Sequence, residues 1–500
     1  MYAAPQPKPA QPVFRDSRVR GDSPTLAVAA QSLTAEHPGR SGVQLLPEGL
    51  DAFSTRVHSA RLASRTIDVQ TYIWRDDATG RFIARELLLA ADRGVFVRVL
   101  LDDMDARPRD LVLEALDAHP SIEVRIFNPF RTRSGLLKTI AEVSQRGRRL
   151  NHRMHNKSWI VDEALCICGG RNLGDEYFSS AESMNFIDLD LLMLGPAVRH
   201  TVEEFERYWS SELSVPITRL RKYMRQKLSL AELRLRLEVD ARLAETSTFF
   251  RALEDVAGTA VLLHRPFVWS SNVRVIADDP EKALGAGNPS SHVLESMVEE
   301  IRAASREVLL VSPYFVPGVG GTAALRSLAL QGAQVSVLTN SLMATDVAIV
   351  HSGYAKYRYP LLEGGVHLHE LKSSPAEFDE GSRRFRVGSS RASLHTKAAV
   401  VDEERVFVGS FNIDPRSAEL NCEMGVWIRS KALARELTTR FRAATTLERA
   451  FRLELTAEQR MVWIEEHEGT RRLHTSEPHA SWLRRAIVRV LEALPIESQL

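Results

Sequence analysis

The chain has 500 residues, 44% of them hydrophobic and 26% charged, and a formal net charge of +1. That length implies two or more domains, the balanced charge excludes a broad phosphate-binding surface for nucleic acid, and no apolar run approaches the ~20 residues that span a bilayer. Three cysteines, Cys166, Cys168 and Cys422, are too few for a disulfide framework.

Residues 1–24, "MYAAPQPKPAQPVFRDSRVRGDSP", are rich in proline and polar residues, lack the apolar region of a signal peptide and offer no cysteine for a lipid; they read as a disordered tail. Residues 25–214 form the first predicted domain. Within it "ASRTIDVQTYIW" (63–74) is a strand closing on an aromatic cluster, "GRFIARELLLAAD" (80–92) has helical periodicity and "RGVFVRVLLDD" (93–103) is a second strand. The basic stretch "RTRSGLLKTIAEVSQRGRRLNHR" (131–153) reads either as a solvated helix-loop or as a loop for anionic headgroups. Residues 215–270 form a connecting helical segment of mixed charge, solvated in the plainer reading and lipid-facing in the other.

The second predicted domain, 271–450, repeats the first. "ASREVLLVSPYF" (304–315), "GTAALRSLAL" (321–330) and "QGAQVSVLTNS" (331–341) again read strand, helix, strand, the signature of a mostly parallel sheet covered by helices. "VHSGYAKYR" (350–358) is expected to put His351, Tyr354 and Arg358 on one helical face near the site, without a catalytic role. The C-terminal extension, 451–500, ends in the amphipathic "SWLRRAIVRVLEALPIES" (481–498), expected to dock against the domain, with a bilayer as the alternative.

The repeat extends to the chemistry. "MHNKSWIVDEALCICGGRN" (154–172) aligns without a gap to "LHTKAAVVDEERVFVGSFN" (394–412), so both halves hold H-x-K-x4-D followed by a glycine-containing turn and Asn. Residues two apart on a strand point the same way, so each half projects an imidazole and an ammonium together. Ammoniums suit phosphate oxygens, and imidazoles serve as nucleophiles or as acid and base near neutrality. Two such sets around one anion make a site for a phosphodiester without a metal. The zinc-like look of His152, His155, Cys166 and Cys168 does not repeat: Val406 and Val408 stand at the cysteine positions, so the cysteines read as core residues.

At these residues the chain resembles the phospholipase D superfamily, whose members carry two H-x-K-x4-D-x6-G-[GS]-x-N motifs. Outer stretches such as "NSLMATDVAIVHSGYAKYRYPLLEGGVHLHEL" (340–371) are similar to its bacterial cardiolipin synthase C-type branch. The resemblance implies an α/β fold of two tandem α/β/α sandwich domains related by a pseudo-twofold axis, with the active site between them. It implies His155, Lys157 and Asp162 with His395, Lys397 and Asp402 as the catalytic set, in which Asp162 and Asp402 follow the strand and are structural or orienting rather than proton-transferring; Asn172 and Asn412 sit on the phosphate, and Asp188 and Glu423 orient the histidines, Asp190 being the rival to Asp188. Tyr177, Arg416 and Ser417 sit in family-like contexts farther out, and His152 stands where the branch usually has arginine. The implied reaction is phosphatidyl transfer through a phosphohistidine, His155 being the favoured nucleophile, giving cardiolipin from phosphatidylglycerol and a second phospholipid; hydrolysis of a phosphodiester is the alternative. No metal or cofactor and no nucleic acid are implied. The partners are membrane phospholipids, with phosphatidylethanolamine as a possible second substrate, and any helper protein is left unnamed. The expected location is peripheral, on the cytoplasmic face of a bacterial inner membrane, or in the cytoplasm.

Overall fold

The structure, a computed structural model, describes residues 25–106, 110–130, 149–220, 228–244, 246–255, 263, 265–285, 292–345, 347–373 and 391–492. The expected tail and most of the basic stretch 131–153 lie outside the described residues. Ten described strands precede residue 271: β1 (Ser41–Leu46), β2 (Thr66–Thr71), β3 (Phe96–Asp102), β4 (Ile122–Phe127), β5 (Ser158–Val161), β6 (Leu165–Gly169), β7 (Met184–Ile187), β8 (Asp190–Leu194), β9 (Ser214–Pro216) and β10 (Val268–Ser270). All but β7 join one sheet, ordered β10-β1-β8-β6-β5-β2-β3-β4-β9.

Eleven described strands follow: β11 (Val273–Ala277), β12 (Glu307–Val311), β13 (Gln334–Asn340), β14 (His367–Leu371), β15 (Arg391–Leu394), β16 (Ala398–Val401), β17 (Arg405–Gly409), β18 (Met424–Arg429), β19 (Ala450–Leu455), β20 (Met461–His467) and β21 (Thr470–His474). All but β15 form the second sheet, β11-β18-β17-β16-β12-β13-β14-β19-β20-β21. From β1/β11 to β9/β19 the two orders correspond strand for strand. Two α/β/α sandwiches related by pseudo-twofold symmetry result.

The sheets are mixed rather than mostly parallel. Within the two large sheets only β2-β3-β4 and β12-β13-β14 run parallel among the described residues; the motif strand β5 runs antiparallel to both β2 and β6. The cause is a tight hairpin inside the motif. Asp162 and Glu163 adopt φ of 52° and 54°, and Asp402 and Glu403 adopt 53° and 56°, the left-handed values that reverse a strand within a few residues.

Helices Gly49–Leu62 and Ala78–Asp92 cover one face of the first sheet through Phe53, Val57, Ile83 and Leu87. On its other face, Cys166, Cys168, Leu191 and Met193 share a core with Val406, Val408, Val426 and Ile428 of the second sheet. The face on which the cysteines alternate is thus the one sealed between the halves.

Two expected boundaries shift. β10, inside the expected connector, pairs with β1 and completes the first sheet. β19, β20 and β21 extend the second sheet beyond residue 450, so the start of the expected C-terminal extension belongs to the domain. Burial explains this: Phe451, Leu453 and Trp463 close the core over β14, and a sheet edge left open there would expose them.

Candidate active site

His155 and Lys157 immediately precede β5, and Ser158 at its start pairs with Gln70 near the end of β2. The motif therefore begins at the carboxyl edge of the parallel strands, and its second-half copy does likewise beside β12. In both copies the lysine turns back on its own motif. Lys157 Nζ donates to the His155 carbonyl at 2.5 Å, and Lys397 Nζ to the His395 carbonyl at 2.5 Å.

The halves exchange backbone at this point. His155 N donates to Cys422 O at 2.8 Å, and Cys422 N donates to Arg153 O at 2.8 Å. In the mirror arrangement β15 pairs in parallel with β7, and His395 N donates to Ile187 O at 2.8 Å. The residue that follows each exchange is an acid. Glu423 of the second half takes the Nδ1 of His155 at 2.8 Å, and Asp188 of the first half takes the Nδ1 of His395 at 2.5 Å.

Electrostatics fix the protonation of these pairs. Burial holds the His155 imidazole down to about 4, opposed by Glu423, and holds His395 down to about 3, with Lys397 adding to burial and Asp188 opposing. Burial pushes both carboxyls up, but the facing histidine, the nearby ammonium (Lys397 for Asp188, Lys157 for Glu423) and, at Glu423, the Ser410 hydroxyl together outweigh it, and each lies below its ordinary value. At neutral pH each imidazole is thus neutral and donates Nδ1–H to an ionised carboxylate. That leaves the Nε2 lone pair free for chemistry. Burial, opposed by Glu423 and reinforced by Lys397, brings the Lys157 ammonium down to about 7.

A cavity of about 400 Å³ contains His155 and His395 in its wall, together with Tyr72, Asn172, Tyr177, Phe186 and Tyr314. Tyr72 stands edge-on to His155, and Tyr177 edge-on to His395. Asn172 accepts from Ile73 N at 3.1 Å, which turns its amide nitrogen away from that backbone. Asn412 is buried, with its backbone N donating to Ser417 Oγ and its side-chain oxygen without a hydrogen bond among the described residues.

The motif aspartates are elsewhere. Five residues of extended chain, roughly 16 Å, separate Lys157 from Asp162. Asp162 accepts from the backbone N–H groups of Ser64, Arg65 and Thr66 at the start of β2, and Asp402 from those of Ser305, Arg306 and Glu307 at the start of β12. Hairpin geometry puts these carboxylates outside the group around the histidines, at the opposite end of the strand, where they cap backbone. Asp190 bonds Arg56 and lies near Arg171, away from either histidine. His152 has Lys282, Arg416 and Arg153 as charged neighbours, a setting that repels a cation. His351 and Arg358 share Glu477, and Arg358 also meets Glu370, so they form a buried charge cluster outside the cavity wall.

Sequence reading passed over several residues that hold the site. Ser410 donates its hydroxyl to Glu423, and Asp278 accepts from Glu423 N while pairing with Lys282. Buried Arg153 and Asp102 fix the approach to His155, Asp102 accepting from Met154 N at 2.9 Å. The aromatic clusters closing β2 and β12 were visible as a repeated feature, and they supply Tyr72 and Tyr314.

Comparison with known proteins agrees with this geometry. The family described as "Cardiolipin synthase, PLD-like domain" matches residues 57–209 and 297–445, each segment containing one motif. Over 479 residues the chain is 38% identical to cardiolipin synthase C of Escherichia coli (strain K12), spanning 95% of this chain and 99% of that one. A cardiolipin synthase of Staphylococcus aureus is 24% identical over 437 residues, 86% of this chain and 72% of that one. The crystal structure of phosphatidylserine synthase from Haemophilus influenzae Rd KW20 has a TM-score of 0.59 at 11% identity, over 95% of this chain and 100% of that one, which shows a common fold. With both matched segments contributing a histidine to one cavity, the chain belongs to the phospholipase D-like cardiolipin synthase family.

Proposed function

We propose that the protein is a phosphatidyltransferase that makes cardiolipin from phosphatidylglycerol and a second phospholipid, phosphatidylethanolamine among the candidates. The observation that carries this reading is the crossed pair of imidazole–carboxylate dyads on one cavity. In the first step His155 Nε2 attacks the lipid phosphorus. The P–N bond forms, the P–O bond to the headgroup alcohol breaks, and the alcohol leaves with a proton from His395. In the second step His395 takes the proton of an incoming phosphatidylglycerol hydroxyl, whose oxygen attacks phosphorus and releases His155. The anionic phosphodiester raises the proton affinity of His395 when it enters, which lets a group that is neutral in the free protein act as acid.

Lys157, Lys397, Asn172 and Asn412 hold the phosphoryl oxygens in this scheme, where negative charge accumulates in the transition state. A cavity of this size holds a headgroup and its phosphate but not the acyl chains, so the lipid tails remain in the bilayer. No helix among the described residues is long and apolar enough to cross a membrane, and the enzyme acts as a peripheral protein on the cytoplasmic face of a bacterial inner membrane. The test supplies purified protein with labelled phosphatidylglycerol and phosphatidylethanolamine and identifies products. Labelled cardiolipin supports the reading; phosphatidic acid as sole product replaces transfer with hydrolysis.

A further inference from the structure

Helix Trp482–Glu492 is docked the wrong way round for a water-soluble protein. Its inward side is carried by Val488, 3% exposed, which shares a small core with Leu342 and Ala480. Two arginines anchor that side. Arg484 donates to Thr345 O at 3.3 Å, and Arg485 donates to Ser476 Oγ at 2.6 Å. The apolar residues face out: Trp482 is 74% exposed, Leu483 54%, Ile487 48% and Val490 66%. At about 100° per residue these four share one arc of roughly 140°, opposite Val488. Single exposed apolar residues are ordinary, but a continuous stripe on one helix marks a surface that meets something other than water.

The helix also sits where a membrane would have to be. Leu342 and Met343, beneath it, follow the carboxyl end of β13, and the helix packs against Ala348–Glu363. The histidine cavity lies at the same carboxyl edge, through Tyr314 after β12. Val319, 79% exposed, is in the first turn of the helix Gly318–Leu330 that follows β12 on that edge. Three arginines against the single Glu492 give the helix a net charge of 3 − 1 = +2. Exposed Arg489 flanks the apolar arc, and Trp482 is the side-chain type that settles at a lipid–water boundary.

We propose that this arc is the bilayer-docking surface of the enzyme: the helix lies in the boundary between headgroups and acyl chains, with Trp482, Leu483, Ile487 and Val490 in lipid and Arg489 at anionic headgroups. It sets the cavity against the membrane that supplies its substrates, and so rests on the reading that those substrates are membrane phospholipids. Bilayer rather than a second copy of the chain is the occupant because arginine at the rim complements an anionic lipid surface and repels its own copy.

The test sediments the full-length protein with vesicles of mixed phosphatidylglycerol and phosphatidylcholine, and with phosphatidylcholine alone. Wild type is expected to prefer the anionic vesicles, and Leu483→Asp/Ile487→Asp to bind them about tenfold or more weakly. Turnover of lipid in detergent micelles should stay within about twofold, since neither residue lines the histidine cavity. Vesicle binding by the double variant equal to wild type overturns the proposal. A wild-type dimer that the double variant converts to monomer also overturns it, assigning the arc to self-association. Should the double variant unfold, the fluorescence difference between wild type and Trp482→Phe reads the same contact: quenching by brominated lipid is expected, and its absence is a refutation. Vesicle binding without any lipid product leaves the docking surface standing and removes the catalytic reading.

Discussion

The Nδ1 of His395 lies 2.5 Å from Oδ2 of Asp188, a carboxylate carried by the other half of the chain. The crossing follows from backbone: β7 runs alongside β15, so the residue after Ile187 arrives at the ring of His395. Neither half contains a complete dyad, so the proposed two-histidine chemistry needs both halves together. Asp188→Asn and Glu423→Gln keep the shape but remove the charge that stabilises an imidazolium and fixes the tautomer. Each is expected to lower kcat by about 10²–10⁴-fold with little change in KM, a split readable by steady-state kinetics on mixed micelles. Equal loss in KM alone would assign these acids to binding.

The depressed imidazoles link stability to pH. The folded values, about 4 for His155 and about 3 for His395, lie below the unfolded value of 6.5. Between them the unfolded chain binds more protons than the folded one, so stability is fully present above pH 6.5 and declines as pH falls toward 4. The decline is on the order of 1–3 kcal/mol per histidine. Asp188 and Glu423, held below their ordinary values, add a further loss only at lower pH. Urea denaturation from pH 7.5 to 4 should show this slope, and His395→Gln should flatten it; an unchanged slope in that variant would place the linkage in other groups.

Lys157 makes anion binding pH-dependent in the opposite sense. Its ammonium, lowered to about 7 by burial and by Lys397, loses charge as pH rises through that value, whereas a bound oxyanion favours the charged form. Tungstate, whose own charge is constant over this range, should inhibit progressively more weakly from pH 7 to 9, by up to about tenfold per pH unit. Lys157→Gln should raise the inhibition constant and abolish the trend. A flat wild-type profile would mean that Lys157 stays charged throughout.

Asp162 and Asp402 show how far the sequence could be read. The gapless repeat exposed both histidines, both lysines and the tandem fold, because those residues must recur wherever the anion is gripped from two sides. Spacing alone could not say that a hairpin reverses the strand after Val161 and carries the motif aspartate away from the site. Nor could it foresee that each acid serves the opposite histidine, since that depends on strand exchange between residues over 200 apart in sequence. Asp162→Ala removes the buried carboxylate shared by the N–H groups of Ser64, Arg65 and Thr66, which stand near the surface, and should cost about 1–3 kcal/mol of stability. Activity per folded molecule should stay within about threefold, and Asp402→Ala, at a more exposed hairpin, should cost less stability. Denaturation midpoints alongside kcat separate the two effects, and a collapse in kcat at full stability would return Asp162 to the catalytic set.

Gly170 and Ser410 occupy equivalent positions, and their difference matches that between the two acids. A Cβ at Gly170 would lie 2.2 Å from Oδ1 and 2.9 Å from Cγ of Asp188, so any side chain there drives the carboxylate off His395. In the second half the acid is one methylene longer. Its carboxylate stands farther from its own backbone, and Ser410 fits beneath it with its hydroxyl bonded to Glu423. Gly170→Ser alone should therefore cost about 10² or more in kcat while the protein remains folded. Gly170→Ser/Asp188→Glu, which copies the second half into the first, should recover at least about tenfold of that loss. Kinetics of the two single variants and the double variant form a cycle, and strictly additive losses would show that the glycine and the acid act independently.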